Sequence, residues 1–109
     1  MLAEASRWIG QGNPTPFQEA WCRDFVNLVL ERAGYRLADR SHQAAAALRL
    51  GRRVREPRLG DLAVMAGHVT FFAGWDGDGA FLGLGGNQSH RVTVARFARR
   101  AVIAFVRVG

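Results

Sequence analysis

Three residues, far apart along the chain, are of types that together perform acyl transfer: Cys22, His68 and Asn87. Cys22 stands where an amphipathic helical stretch begins. Unpaired backbone N–H groups at a helix N-terminus carry partial positive charge, which favours a thiolate and lowers its pKa. The rival reading is an ordinary core cysteine on an apolar stripe. His68 follows Gly67 and opens the run His68-Val69-Thr70-Phe71-Phe72. An imidazole at a strand mouth beside that helix can take the thiol proton and later give it to the leaving group. Alone, such a residue is more often a satisfied structural histidine. Asn87 lies in Gly85-Gly86-Asn87-Gln88-Ser89. A carboxamide there can fix the imidazole tautomer, as the asparagine of a Cys-His-Asn set does. The same run is also good turn chemistry.

The elements that must position these groups are readable from periodicity. Residues 2–9 suggest a short helix with Leu2, Ala5, Trp8 and Ile9 on one side, and Gly10 to Pro16 a loop. Over residues 20–33, Cys22, Phe25, Val26, Val29 and Ala33 form a buried stripe, with Asp24, Asn27 and Glu31 on the opposite side and Gly34 as the stop. Ser41 is a candidate cap for a third helix through Ala44–Ala47 to Leu50, ended by Gly51. After Gly60 the period changes to that of strands. Leu62–Met65, Val69–Trp75, Ala80–Leu84, Arg91–Ala95 and Val102–Val108 are short and rich in β-branched and aromatic residues. Asp76-Gly77-Asp78-Gly79 reads as a hairpin turn. In period two, Val69, Phe71, Ala73 and Trp75 share one face, and His68, Thr70 and Phe72 the other. The order, helices and then an antiparallel meander, predicts an α+β fold with the helices on one side of a sheet.

The 109 residues fit one domain spanning 1–109. The formal net charge is +6, and all fifteen basic residues are arginine. They gather mainly at 49–58 and 91–100. Genome base composition is sufficient reason for the absence of lysine, but the field itself favours anionic partners such as cell-wall polymers, lipid head groups or nucleic acid. A single cysteine excludes an internal disulfide. The first ten residues contain Glu4 and Arg7 and lack the apolar stretch of a signal peptide. No run approaches a membrane span. The expectation is a soluble chain, cytoplasmic as made, reaching the wall by release or a dedicated secretion route.

Trp21-Cys22 with Phe25-Val26-Asn27, then Gly60-Asp61, Gly67-His68-Val69 and Gly85-Gly86-Asn87-Gln88, resembles the CHAP family of cysteine amidohydrolases and peptidases. These are relatives of the NlpC-type cell-wall peptidases within the papain-like fold. The nearest likeness is to small CHAP-like proteins, often phage- or prophage-associated, and it covers residues 10–108. The resemblance implies a papain-like α+β domain in which Cys22 is nucleophile, His68 base and Asn87 the orienting residue. It implies an oxyanion hole of the Cys22 N–H and one more donor, with Gln18 the candidate. Trp21 would line the cleft or pack beneath it. Gln88 is a substitute for Asn87 or a substrate contact, ranked lower because a continuous strand turns it to the other face. Asp61 would be structural. Arg23, where relatives carry small residues, would support the thiolate or face solvent, and a short 61–68 loop would leave the cleft open on that side.

The resulting expectation is hydrolysis of an amide bond in peptidoglycan, by an endopeptidase or amidase working through a thioester and needing no metal or organic cofactor. A papain-fold effector acting on protein amides, as a deamidase or transferase, would use the same residues. A basic nucleic-acid-binding domain is a distant third, since the arginines build no basic helix and no nucleic-acid motif is present. The spacing of Cys22, His42, His68 and His90 matches no zinc pattern, and His42 and His90 are expected at exposed positions.

Overall fold

A computed structural model describes residues 2–15, 21–37 and 43–109. The expectations for Gln18, Ser41 and His42 fall outside them. Among the described residues are two α-helices, α1 (Leu2–Ser6) and α2 (Cys22–Arg32), and two 3-10 segments, Ala44–Arg49 and Arg99–Ala101. The strands are β1 (Arg52–Val54), β2 (Leu62–Met65), β3 (His68–Trp75), β4 (Ala80–Gln88), β5 (Arg91–Ala98) and β6 (Val102–Arg107). They form one antiparallel sheet in the order β1-β6-β2-β3-β4-β5. The architecture is α+β.

α2 forms where its apolar stripe calls for it, beginning at Cys22 and ending at Arg32, so that Ala33 of the expected stripe is an exposed cap residue. It ends in a Schellman motif. Gly34 adopts φ +94°, its N–H reaches the Glu31 carbonyl at 3.1 Å, and the Tyr35 N–H reaches Leu30 at 3.0 Å. Cys22, Phe25, Val26, Val29 and Leu30 pack on Leu62, Val64, Val69, Phe71, Leu84 and Val106 to make the larger core. Val69 and Phe71 thus face the helix, as their period-two spacing requires, but Trp75 does not share that face: the register shifts between Phe72 and Trp75, and its ring packs on Phe72 and Phe105.

The back of α2 departs from expectation. Of Asp24, Asn27 and Glu31, only Glu31 is exposed. Arg23 is fully buried, its Nε donating to Asn27 Oδ1 at 2.9 Å and Nη1 to the Gln43 carbonyl at 3.3 Å. The chain around Gln43 therefore covers this side, and the guanidinium is tolerated there because its donors are satisfied. Neither of the roles foreseen for Arg23 fits that placement.

Three further elements differ from their expected form. α1 stops at Ser6 and continues as turns to Gly10, leaving Ile9 half exposed. The third helix is a 3-10 segment, whose three-residue turn stacks Ala44, Ala47 and Leu50 on one side against the core. The sheet is no simple meander. β6 lies beyond β2 instead of beside β5, and β1, whose Arg52-Arg53-Val54 carries no strand pattern, pairs with it.

This strand order forces curvature. β5 and β6 are joined by only Arg99–Ala101, yet β4, β3 and β2 lie between them. In a flat sheet they would be about 19 Å apart across four inter-strand steps. The connection spans at most about 14 Å. The sheet therefore curls, and its helix-free face closes on itself around Ala63, Met65, Phe72, Phe81 and Phe105. The Phe81 ring meets Phe72 at 6.0 Å, Phe105 at 5.9 Å and Phe97 at 5.6 Å between centroids. At the base of β2, Asp61 binds Arg107 through both carboxylate oxygens, 3.0 and 2.8 Å, and accepts the Arg58 backbone N–H at 2.7 Å. That pair ties β6 to the turn before β2 and gives Asp61 a structural place. Among the described residues no helix is long and apolar enough to cross a membrane.

Phe81→Ala removes the ring at the centre of the second core. It is expected to cost about 3–5 kcal/mol of folding free energy in urea titration. A loss below about 1 kcal/mol would mean that the curled face is loosely packed.

Candidate active site

The helix start and the strand mouth meet at the sulfur of Cys22. Cys22 is 3 % exposed, and the backbone N–H groups of Val69, Arg23 and Cys22 lie close enough to its thiol to favour the thiolate. The Val69 peptide is the one that follows His68, so the thiol lies against the first bond of β3. Those three N–H groups pull the thiol pKa down, but burial outweighs them and Asp24 adds a smaller upward push, so the net shift is above the usual thiol value. The expected fall in pKa is thus corrected: the resting sulfur is a protonated thiol.

His68 is held by other partners. Its ring stacks on Phe97 at 5.5 Å and its Nε2 lies 3.0 Å from Gln88 Oε1. Among the described residues no hydrogen bond joins His68 to Cys22. Burial lowers the imidazole pKa below its usual 6.5, against a smaller upward pull from Gln88. Both partners of the pair are therefore neutral at pH 7.

Gln88 is 7 % exposed and its carboxamide is fully hydrogen-bonded. Its Nε2 donates to the carbonyls of Gly83 at 3.1 Å and Thr93 at 2.9 Å. A carbonyl can only accept, so those two contacts fix which end of the amide is NH2. Oε1 must then face Thr70 Oγ1, which donates at 2.9 Å, and His68 Nε2. Because Oε1 can only accept, His68 carries its proton on Nε2. In the neutral ring the lone pair is left on Nδ1. The amide orientation thus dictates which imidazole nitrogen is a base.

Asn87 does not reach the imidazole, and the reason is a bulge. β4 pairs Gly85 with Thr93 and Gln88 with Arg91, so three steps on one strand match two on the other. Asn87 absorbs the extra residue at φ +57°, a conformation asparagine tolerates better than most residues. The kink reverses the alternation and turns Gln88 to the face carrying Gly83, Gly85 and Thr70. Assigning Asn87 as the orienting residue is corrected accordingly, as is Gln88 as a substrate contact. The clue lay in Gly85-Gly86. A Cβ on Gly85 would collide with Gln88 Oε1, and one on Gly86 would lie 2.6 Å from Trp21 and from Phe25. One glycine admits the carboxamide and the next admits α2.

Trp21 is 3 % exposed within the larger core, so it packs beneath the site and does not line a cleft. His90 is exposed, as expected. Among the described residues no group of His, Cys, Asp and Glu is arranged to hold a metal ion. Comparisons with protein-family models, with curated proteins and with solved structures found no match.

Nitrogen NMR of the His68 ring at pH 7.5 is expected to show a protonated Nε2 and a bare Nδ1; the opposite tautomer would refute the amide assignment. Asn87→Gly should leave fold and His68 shifts unchanged, whereas Asn87→Val should destabilise by about 1–3 kcal/mol, because it strains the positive φ. The two pKa shifts also set a stability window. His68 binds its proton less well folded than unfolded, so stability falls as pH drops below about 6.5. Cys22 holds its proton more tightly when folded, so stability also falls as pH rises past about 9. Cys22→Ala should abolish the alkaline limb in pH-dependent unfolding.

Proposed function

We propose that this chain is a papain-like cysteine hydrolase of the CHAP type that cleaves an amide bond in bacterial peptidoglycan. The observation that carries the reading is the set of Gln88 contacts, whose Nε2 donates to Gly83 and Thr93 and whose Oε1 faces His68 Nε2, which leaves the Nδ1 lone pair to act as the base. A thiol at a helix N-terminus against the next peptide of the same strand supplies the nucleophile.

The chemistry follows from a neutral pair. Substrate binding brings sulfur and imidazole together, as catalytic hydrogen bonds often tighten only in the complex. The thiol proton passes to Nδ1 as sulfur attacks the amide carbonyl. The Cys22 N–H holds the developing oxyanion, with a second donor from the chain before it, for which Gln18 remains the candidate. The C–N bond breaks, and imidazolium returns its proton to the leaving amine. Water, deprotonated by Nδ1, then opens the thioester to a carboxylic acid and the free thiol. Gln88 keeps the imidazole oriented throughout. The motif order quoted above supports the wall as substrate, and the net positive charge favours an anionic polymer.

Digestion of purified cell walls, with fragments read by mass spectrometry, identifies the bond cut. Cys22→Ala and His68→Ala are each expected to lower turnover by at least about 10³-fold while the fold is retained. Wild-type turnover should fall on the acid side with a midpoint below 6.5, as His68 becomes protonated. Gln88→Glu sets a carboxylate oxygen against the Gly83 and Thr93 carbonyls and a charge beside His68. It should move that acid limb to higher pH. Full wall lysis by Cys22→Ala would sink the proposal, and cleavage of protein amides with walls left intact would replace the substrate.

A further inference from the structure

The curled sheet leaves a second feature that the proposed chemistry does not use. A cleft of about 340 Å³ lies between β1, the Arg99–Ala101 turn and the start of β6. Its walls carry Arg53, Arg55 and Arg99, and its floor is apolar, with Val102 and Phe105. Arg53 and Arg55 are exposed and form no ion pair among the described residues. Among the described residues Arg99 pairs with one carboxylate, Glu56 at 3.7 Å, which is largely in solvent, and its guanidinium also lies over the Trp75 ring. Three guanidinium groups around one cleft repel one another, and an anion bound among them would relieve that cost. Guanidinium groups fit phosphate in a forked geometry, with two parallel N–H···O bonds.

The cleft is also near the candidate site. Val102, on its floor, pairs with Met65, and Met65 pairs with His68. Two inter-strand steps place the backbone of Val102 about 10 Å from that of His68. A polymer lying in the cleft would therefore reach the strand mouth within a few bonds.

We infer that this cleft binds the phosphodiester groups of a polyol-phosphate wall polymer and holds the wall against the hydrolase site. The inference rests on the wall being the substrate. Nucleic acid presents the same phosphodiester charge, but the cleft offers no platform for a base. Phe105 is buried, and the face of Trp75 is taken by the Arg99 guanidinium at 4.6 Å. Single-strand binders depend on such aromatic platforms.

Binding is measured by co-sedimentation with purified walls, using the Cys22→Ala protein so that the walls stay intact. Walls are compared before and after chemical removal of their polyol-phosphate. Intact walls should bind at least about tenfold more tightly at 0.15 M salt, with a steep dependence on salt. The triple change Arg53→Gln, Arg55→Gln and Arg99→Gln should lose that advantage. A charge-matched triple elsewhere, Arg7→Gln, Arg36→Gln and Arg91→Gln, should keep most of it. With Cys22 restored, the cleft triple should still turn over soluble, phosphate-free wall fragments at the wild-type rate. Equal binding to stripped and intact walls would overturn the inference, and so would equal losses from the two triples. Comparable salt-dependent retention of single-stranded DNA would overturn the choice of polymer. Absence of fragment turnover by the wild type would instead overturn the hydrolase reading, since the binding arm is read without catalysis.

Discussion

A buried carboxamide has two donors and two acceptor positions, and each must find a partner or cost free energy. Gln88 fills all four needs, with two strand carbonyls on one side and a threonine hydroxyl and an imidazole on the other. Neither end can be exchanged without setting oxygen against oxygen. The orientation is therefore locked by the sheet backbone and passed on to His68 as a tautomer. Much of the surrounding structure exists to allow this: the bare backbone at Gly85, the kink at Asn87 and the hydroxyl of Thr70, which is wholly enclosed.

The second constraint is geometric. A three-residue link between strands that are four places apart makes the sheet bend round its own aromatic residues. This gives a small chain two cores, one under α2 and one within the curl, with no disulfide to help. α2 then needs to cover only one face. Its first turn lands at the open end of β3, where the thiol meets the Val69 peptide. The neutral state of both thiol and imidazole follows from that enclosure, since each charged form would have to exist largely without water.

Periodicity made the helix at Cys22, the alternation of β3 as far as Phe72 and the hairpin at Asp76–Gly79 legible, because each is a local pattern; the register shift before Trp75 was not. What escaped depended on distant partners. Asp24 and Asn27 look like solvent-facing residues until the chain near Gln43 is laid over them. β1 has no strand pattern of its own and exists because β6 offers an edge. The place of β6 beyond β2 is a matter of topology that its own residues do not encode. Unbroken alternation turns Gln88 away from the face of His68, and one left-handed residue at Asn87 reverses that. The paired glycines were the visible trace of it.

The kink at Asn87 has a bearing on how such a site can change over generations. Two neighbouring residues carry the same amide head group on side chains that differ by one methylene. Loss of a single residue at the irregularity would straighten the strand and restore strict alternation. The residue then two places after Gly85 would face the ring, and it would still end in an amide. A deletion that elsewhere would throw every later side chain to the wrong face would here leave the ring a partner of the same kind, with the next turn, at Ser89 and His90, already in a left-handed conformation and able to take up the slack.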